Sequence, residues 1–195
     1  EKDIHEFFRI YCGFFKDHGY DVVTFEECIG DIMPGGGALG DSRIVPVIQD
    51  EDDFNKYPWE EIPEIFFREF SKYFRILREE MPEGMKAIGG PGNGIFECVQ
   101  QVTGYQGLCY ISADDEEMYH ALFKKAGKTN LKIWKRFMEE FGDIYCVLRF
   151  GDDLGYKSNT LLSTDDTKNL ILPQYKPIVD LVHSYNKPFL LHSCG

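Results

Sequence analysis

Ile4, Phe7, Phe8, Tyr11, Phe14 and Phe15 recur every three or four residues, a spacing that predicts an amphipathic helix closed by Gly19. Residues 21–25 read as a short buried strand, followed by the polar pair Glu26 and Glu27. Across residues 29–53 glycine, proline and aspartate take over, which predicts a long functional loop. A second helical stripe runs through Ile62, Phe66, Phe70, Tyr73, Phe74 and Leu77, with Pro58 and Pro63 near its start. Residues 85–88 form a short strand that runs into a glycine-rich stretch, 89–94, and a helix over about 95–102 follows. Residues 114–141 predict two helical segments around Gly127, and 144–150 is the clearest strand. Ser163 to Asp166 has the S-x-x-D form of a helix cap. The helix it opens holds Leu170, Ile178, Leu181 and Val182, with a kink or restart at Pro173. A last strand, 188–191, precedes His192-Ser193-Cys194-Gly195.

Strand, loop and helix thus alternate four times, which argues for βαβ units on a parallel sheet. Right-handed crossovers give either an open doubly wound sheet or part of a barrel. Every candidate strand ends in polar or glycine-rich residues, which suits a site at the carboxyl ends of parallel strands. The expectation is one α/β domain over residues 1–195. Four strands are too few to close a barrel, which needs about eight. The absence of an initiator Met and the stop after a buried strand add to the expectation of a partial barrel. Open edges and an uncovered apolar face then predict self-association.

Charge narrows the partners. Lys and Arg number 21 against 33 Asp and Glu, a net charge of −12. Such a surface repels phosphate backbones and anionic lipid headgroups, so neither nucleic acid nor a membrane is an expected partner. An aromatic content of 15% excludes a disordered acidic chain. No apolar run approaches the ~20 residues that cross a bilayer, and the first residues lack a secretion signal. The six cysteines show no CxxC pair, so reduced thiols in the cytoplasm are the expectation.

Four clusters could carry chemistry. His192 and Cys194 lie two apart and project from one side of an extended segment. Imidazole and thiolate are both zinc ligands, and a catalytic zinc takes three protein ligands and leaves one position open. Taken alone, the triplet reads more readily as a buried cysteine beside a satisfied histidine. Asp152 and Asp153, flanked by Gly151 and Gly155, offer a substrate-orienting or proton-handling carboxylate, or a turn in which Asp bonds nearby amides. Glu26 and Glu27 end the first strand as a solvated pair or as catalytic and substrate-binding carboxylates, and carboxylates facing one another across a barrel mouth would also fit a glycosidase. The run 89–94 lacks both the GxxxxGK[ST] and the GxGxxG forms. It lets the backbone pass close to a ligand, with Asn93 as a substrate contact. His5, His18, His120 and His183 fall on predicted helices or their ends without partners.

GDDLG after a strand, a Ser-Thr-Asp helix start, Leu-Pro-x-Tyr-Lys-Pro and a strand ending in HSCG together resemble the uroporphyrinogen decarboxylase (URO-D) superfamily. Weaker similarity runs back through Gly104-Tyr105 and Gly89-Gly90-Pro91 to residues 22–25. The resemblance implies a (β/α)8 TIM barrel with its cleft at the strand carboxyl ends. It also implies one of two activities. Decarboxylases of the superfamily use an Arg-rich N-terminal motif and an Asp that orients the pyrroles. Here the arginines are dispersed, and Glu27 falls near that Asp. Corrinoid methyltransferases carry an H-x-C and a later Cys that bind zinc. His192 and Cys194 match the first two, and the third ligand is expected beyond Gly195. The resemblance to that branch implies a corrinoid protein and a small-molecule thiol or methyl donor as partners, with Asp152, Asp153 and Glu27 as catalytic groups. A non-catalytic barrel acting as a binding module is the remaining alternative.

Overall fold

The computed structural model describes residues 1–194. Helix α1 (Lys2–Asp17) leads into β1 (Val22–Cys28), a 3-10 turn (Ile29–Ile32), α2 (Glu51–Lys56) and α3 (Ile62–Glu80). Strand β2 (Lys86–Gly92) is followed by α4 (Ile95–Thr103), α5 (Tyr105–Asp114) and α6 (Glu116–Phe141). Strand β3 (Tyr145–Gly151) feeds a hairpin of β4 (Gly155–Tyr156) and β5 (Asn159–Thr160). The chain ends with α7 (Thr164–Asp166), a π-turn (Thr167–Ile171), α8 (Leu172–Ser184) and β6 (Phe189–His192).

The four long strands lie parallel in the order β1-β2-β3-β6. Neighbours in this sheet follow one another along the chain, so the winding never reverses as it does in a doubly wound sheet. α1 packs on α3, α3 on α6 and α6 on α8, a continuous row of helices. Aromatic rings join that row to the strands. Phe25 of β1 lies 4.9 Å from Phe8 of α1 and 5.6 Å from Phe74 of α3, which meets Phe137 of α6 at 5.0 Å. Trp134 of α6 sits 6.2 Å from Phe150 of β3 and 5.6 Å from Phe189 of β6. Edge-to-face pairs of this kind add about 1 kcal/mol each beyond the area they bury. The opposite face of the sheet carries Thr24, Glu26, Arg149 and Leu190, the last of them half exposed. Among the described residues no helix is long and apolar enough to cross a membrane.

Several elements differ from the sequence reading. Residues 116–141 form one helix, not two, because Gly127 marks a close approach and not a break. A Cβ there would stand 2.5 Å from Oε1 of Gln174 on α8. β2 continues through the glycines to Gly92. Gly89 has φ +138°, and a Cβ on it would lie 2.1 Å from the Phe25 carbonyl oxygen. Helix α5 and the β4–β5 hairpin had no sequence signal strong enough to expect them. Ser163 caps as read, its Oγ accepting from the Asp166 amide at 2.9 Å. The interruption near Pro173 is the π-turn, after which α8 starts with proline in its first turn. His5 has a partner after all: its Nδ1 lies 2.8 Å from Glu80, tying α1 to α3.

Candidate functional site

The polar clusters gather at the carboxyl ends of the four parallel strands. Asp152, just past β3, turns inward and is fully buried. Its carboxylate accepts the amides of Phe96 at 3.0 Å and Glu97 at 2.9 Å, both in the first turn of α4, and the Tyr175 hydroxyl at 2.5 Å. A carboxylate at a helix N-terminus satisfies amides that have no intrahelical partner. Burial pushes Asp152 up to about 7, against the pull of the Tyr175 hydroxyl and those two amides. Gly94 makes room for it, since a Cβ there would stand 2.3 Å from the Asp152 side chain. Asp152 therefore joins β3, α4 and α8 from beneath, and its side chain does not reach the open end of the sheet.

Asp153 points the other way. Its Oδ1 accepts the Cys194 amide at 3.0 Å and lies 3.9 Å from His192 Nε2. His192 Nε2 and Cys194 Sγ are 3.4 Å apart. Imidazole nitrogen, thiol sulfur and carboxylate oxygen all fall within 4.8 Å of one another. Two donors on a tetrahedral metal ion stand roughly 3.5 Å apart, so this spacing and donor set could hold a divalent transition metal. Asp153 holds the Cys194 thiol above its usual range through a hydrogen bond and its charge. A bound cation reverses that logic, because a metal-coordinated thiol is deprotonated. The third ligand expected beyond Gly195 lies outside the described residues; Asp153 is a donor that the sequence reading had given a different role.

Behind this cluster stands Glu97. Its Oε1 accepts the Asp153 amide at 3.4 Å, and its Oε2 accepts Asn93 Nδ2 at 2.5 Å. Asn93 in turn accepts the Gly30 amide at 3.0 Å, so both ends of its side-chain amide are engaged within the chain. Ser193, between the two candidate ligands, accepts the Leu154 amide at 3.1 Å. Backbone bonds complete the frame, with the Asp152 amide donating to the His192 carbonyl at 2.9 Å.

Glu26 and Glu27 occupy opposite faces of β1, as neighbouring strand positions must. Glu26 reaches across β2 to Arg149, bonding Nη2 at 2.5 Å and Nε at 3.1 Å. Glu27 shares the helix-facing side with Phe25, near Lys72 of α3 and Asp31. Burial first, then the Asp31 charge, pushes it up to about 7, with Lys72 opposing. The two carboxylates therefore do not face one another. Sequence reasoning missed Glu97, Tyr175 and Arg149. Arg149 carried a signal as a lone charge inside an apolar strand, and Tyr175 stood within the Leu-Pro-x-Tyr-Lys-Pro segment without a role being read for it.

Residues 37–195 match the family model described as Uroporphyrinogen decarboxylase (URO-D). The chain belongs to the URO-D family. No curated protein sequence matches it. Among solved structures this URO-D family member is similar to a methyltransferase from Methanosarcina mazei, with a TM-score of 0.62 and 14% sequence identity. The match covers 98% of this chain and 57% of that one, so the URO-D chain described here spans little more than half of that structure's length. At such an identity the likeness shows the fold: an α/β chain of the URO-D barrel type, with four of its strands in place.

Proposed function

We propose that this chain takes part in methyl transfer between a corrinoid and a thiol, with His192 and Cys194 holding a zinc ion. The observation that carries the reading is the convergence of His192, Cys194 and Asp153 at the carboxyl ends of β3 and β6. His192, Cys194 and Asp153 would hold the zinc, which would supply the positive charge that keeps a thiol deprotonated at neutral pH. In such a transfer the acceptor loses its proton and its sulfur bonds the methyl carbon. The cobalt–carbon bond would break in the same step, its electron pair remaining on the corrinoid's cobalt and the thiol's proton passing to solvent. Asp153 would orient Cys194 through its amide, Glu97 would anchor the Asp153 backbone, and Asp152 would fix α4 beneath them. A corrinoid protein and a small thiol are the proposed partners, in the cytoplasm.

The test is metal content beside activity. About one zinc per chain, lost in both His192→Ala and Cys194→Ser, with methyl transfer from methylcobalamin to 2-mercaptoethanol lost in parallel, supports the reading. Zinc that survives both substitutions overturns it. Decarboxylation of uroporphyrinogen is the second reading, favoured by the family's name. It predicts release of carbon dioxide from uroporphyrinogen by a metal-free chain. Against it stands Arg149, a cation on the open face of the sheet that is already paired with Glu26.

A further inference from the structure

A cavity of about 520 Å³ lies between the loop that follows β1 and the start of α5. Leu39, Ile44 and Pro46 wall it from the loop side, and Tyr105 and Tyr110 from the helix side. Both tyrosines are unusually exposed for their size, at 44% and 61%. Ser42, Gln49 and Gln106 add uncharged polar groups. Among the described residues no charged side chain lines this space, although 28% of the chain is charged. Its volume falls in the range of small-molecule sites, which pair apolar walls with a few placed polar groups.

We propose that this cavity binds an uncharged aromatic small molecule. Two tyrosine rings and an aliphatic wall favour a flat ring system, which gains from stacking as well as burial. A charged ligand would shed its hydration with no countercharge to meet, so the lining selects against it. The walls are held in place before any ligand arrives. Gly37 and Ala38 donate to the Gln101 carbonyl at 3.1 and 3.2 Å, fixing the loop to the end of α4. Gly104 has φ +62°, a turn that glycine takes without strain, and a Cβ there would meet Pro46 and Ala38 at an ordinary 3.4 and 3.5 Å, so the two walls lie in contact range. The Tyr105 hydroxyl donates to the Leu161 carbonyl at 2.7 Å. Leu161 donates to the Leu154 carbonyl at 2.8 Å, and the Leu154 amide to Ser193 Oγ. These bonds run from the cavity wall to Ser193, between His192 and Cys194. The proposal stands whether or not the chain transfers methyl groups.

The probe is 2-naphthol, flat and neutral at neutral pH, set against 2-naphthoate, the same ring system with a carboxylate. Titration of the 195-residue chain, followed by probe fluorescence, is expected to give saturable 2-naphthol binding and roughly tenfold weaker 2-naphthoate binding. Gly107→Phe places a ring in the cavity from a position where a Cβ meets Pro46 at an ordinary 3.9 Å. Ile44→Phe narrows the same space from the loop side. Each is expected to weaken 2-naphthol roughly tenfold with an unchanged circular dichroism spectrum, and either one alone suffices if the other misfolds. Tyr105→Phe keeps the ring and is expected to keep the binding. Equal affinity for the two probes, no saturation, or affinity untouched by both filling substitutions would overturn the proposal. The last outcome would assign the probe to the apolar face of α1 instead.

Discussion

Glu27 shows how far burial and a neighbouring carboxylate can move one side chain from its usual chemistry. The unfolded chain releases its proton near 4.5, while the folded chain holds it up to about 7. Between those values the native state binds more protons. The stability this group contributes is therefore full below about 4.5 and is lost as the pH rises through about 7. Glu27→Gln removes that titration. In urea unfolding, the stability of the variant relative to the parent is expected to rise from about pH 5 to about pH 8. Parallel curves would show that burial does not shift this carboxyl. At the same scale, Asp152 and Asp153 could not be told apart in the sequence. Gly151 and Gly155 leave either carboxylate free to turn inward, and only the amides of Phe96 and Glu97 decide which one does. His192 and Cys194 were legible as a pair because extended backbone puts alternate residues on one side. Asp153 joins them through a loop whose path no periodicity encodes.

Helices and strands were legible where one face is apolar. The stripes in α1 and α3, the β3 run and the Ser163 cap all appear close to where the pattern put them. What the pattern could not show was a strand without side chains. Gly89, Gly90 and Gly92 look like a loop in sequence, yet they are the carboxyl half of β2, all three paired to β1 and Gly89 to β3 as well. That bare surface lets Glu26 and Arg149 meet across it and lets Trp134 approach Gly90, where a Cβ would stand 3.1 Å from the indole. Gly89→Ala is expected to cost at least about 2 kcal/mol from backbone strain alone, before the clash with Phe25 is added. A thermal melt reads it, and an unchanged midpoint would mean that β2 does not hold its place between β1 and β3. The same argument explains Gly127 in α6. Helical spacing suggests a break there, but tertiary contact with Gln174 overrides the residue's poor helix propensity.

For the whole molecule, a parallel sheet was readable from alternation and its barrel type from the family resemblance, whereas the covering of its outer surfaces was not. Phe7, Ile10 and Phe14 on α1 stand 55%, 65% and 55% exposed, a run of large apolar side chains facing away from α3. With Leu190 bare on the open side of the sheet, the chain is expected to associate as its concentration rises. Ile10→Glu should shift sedimentation toward the monomer, and a monomeric parent at all concentrations would contradict the expectation. The packing of α6 has a more practical outcome. Trp134 is fully buried among Phe137, Phe150 and Phe189, and Trp59, the chain's other indole, is nearly so. Trp134 touches two strands at once, so its emission stays blue only while the helix row and the sheet remain clasped. The fold carries its own lamp, which reddens when water comes between its two layers.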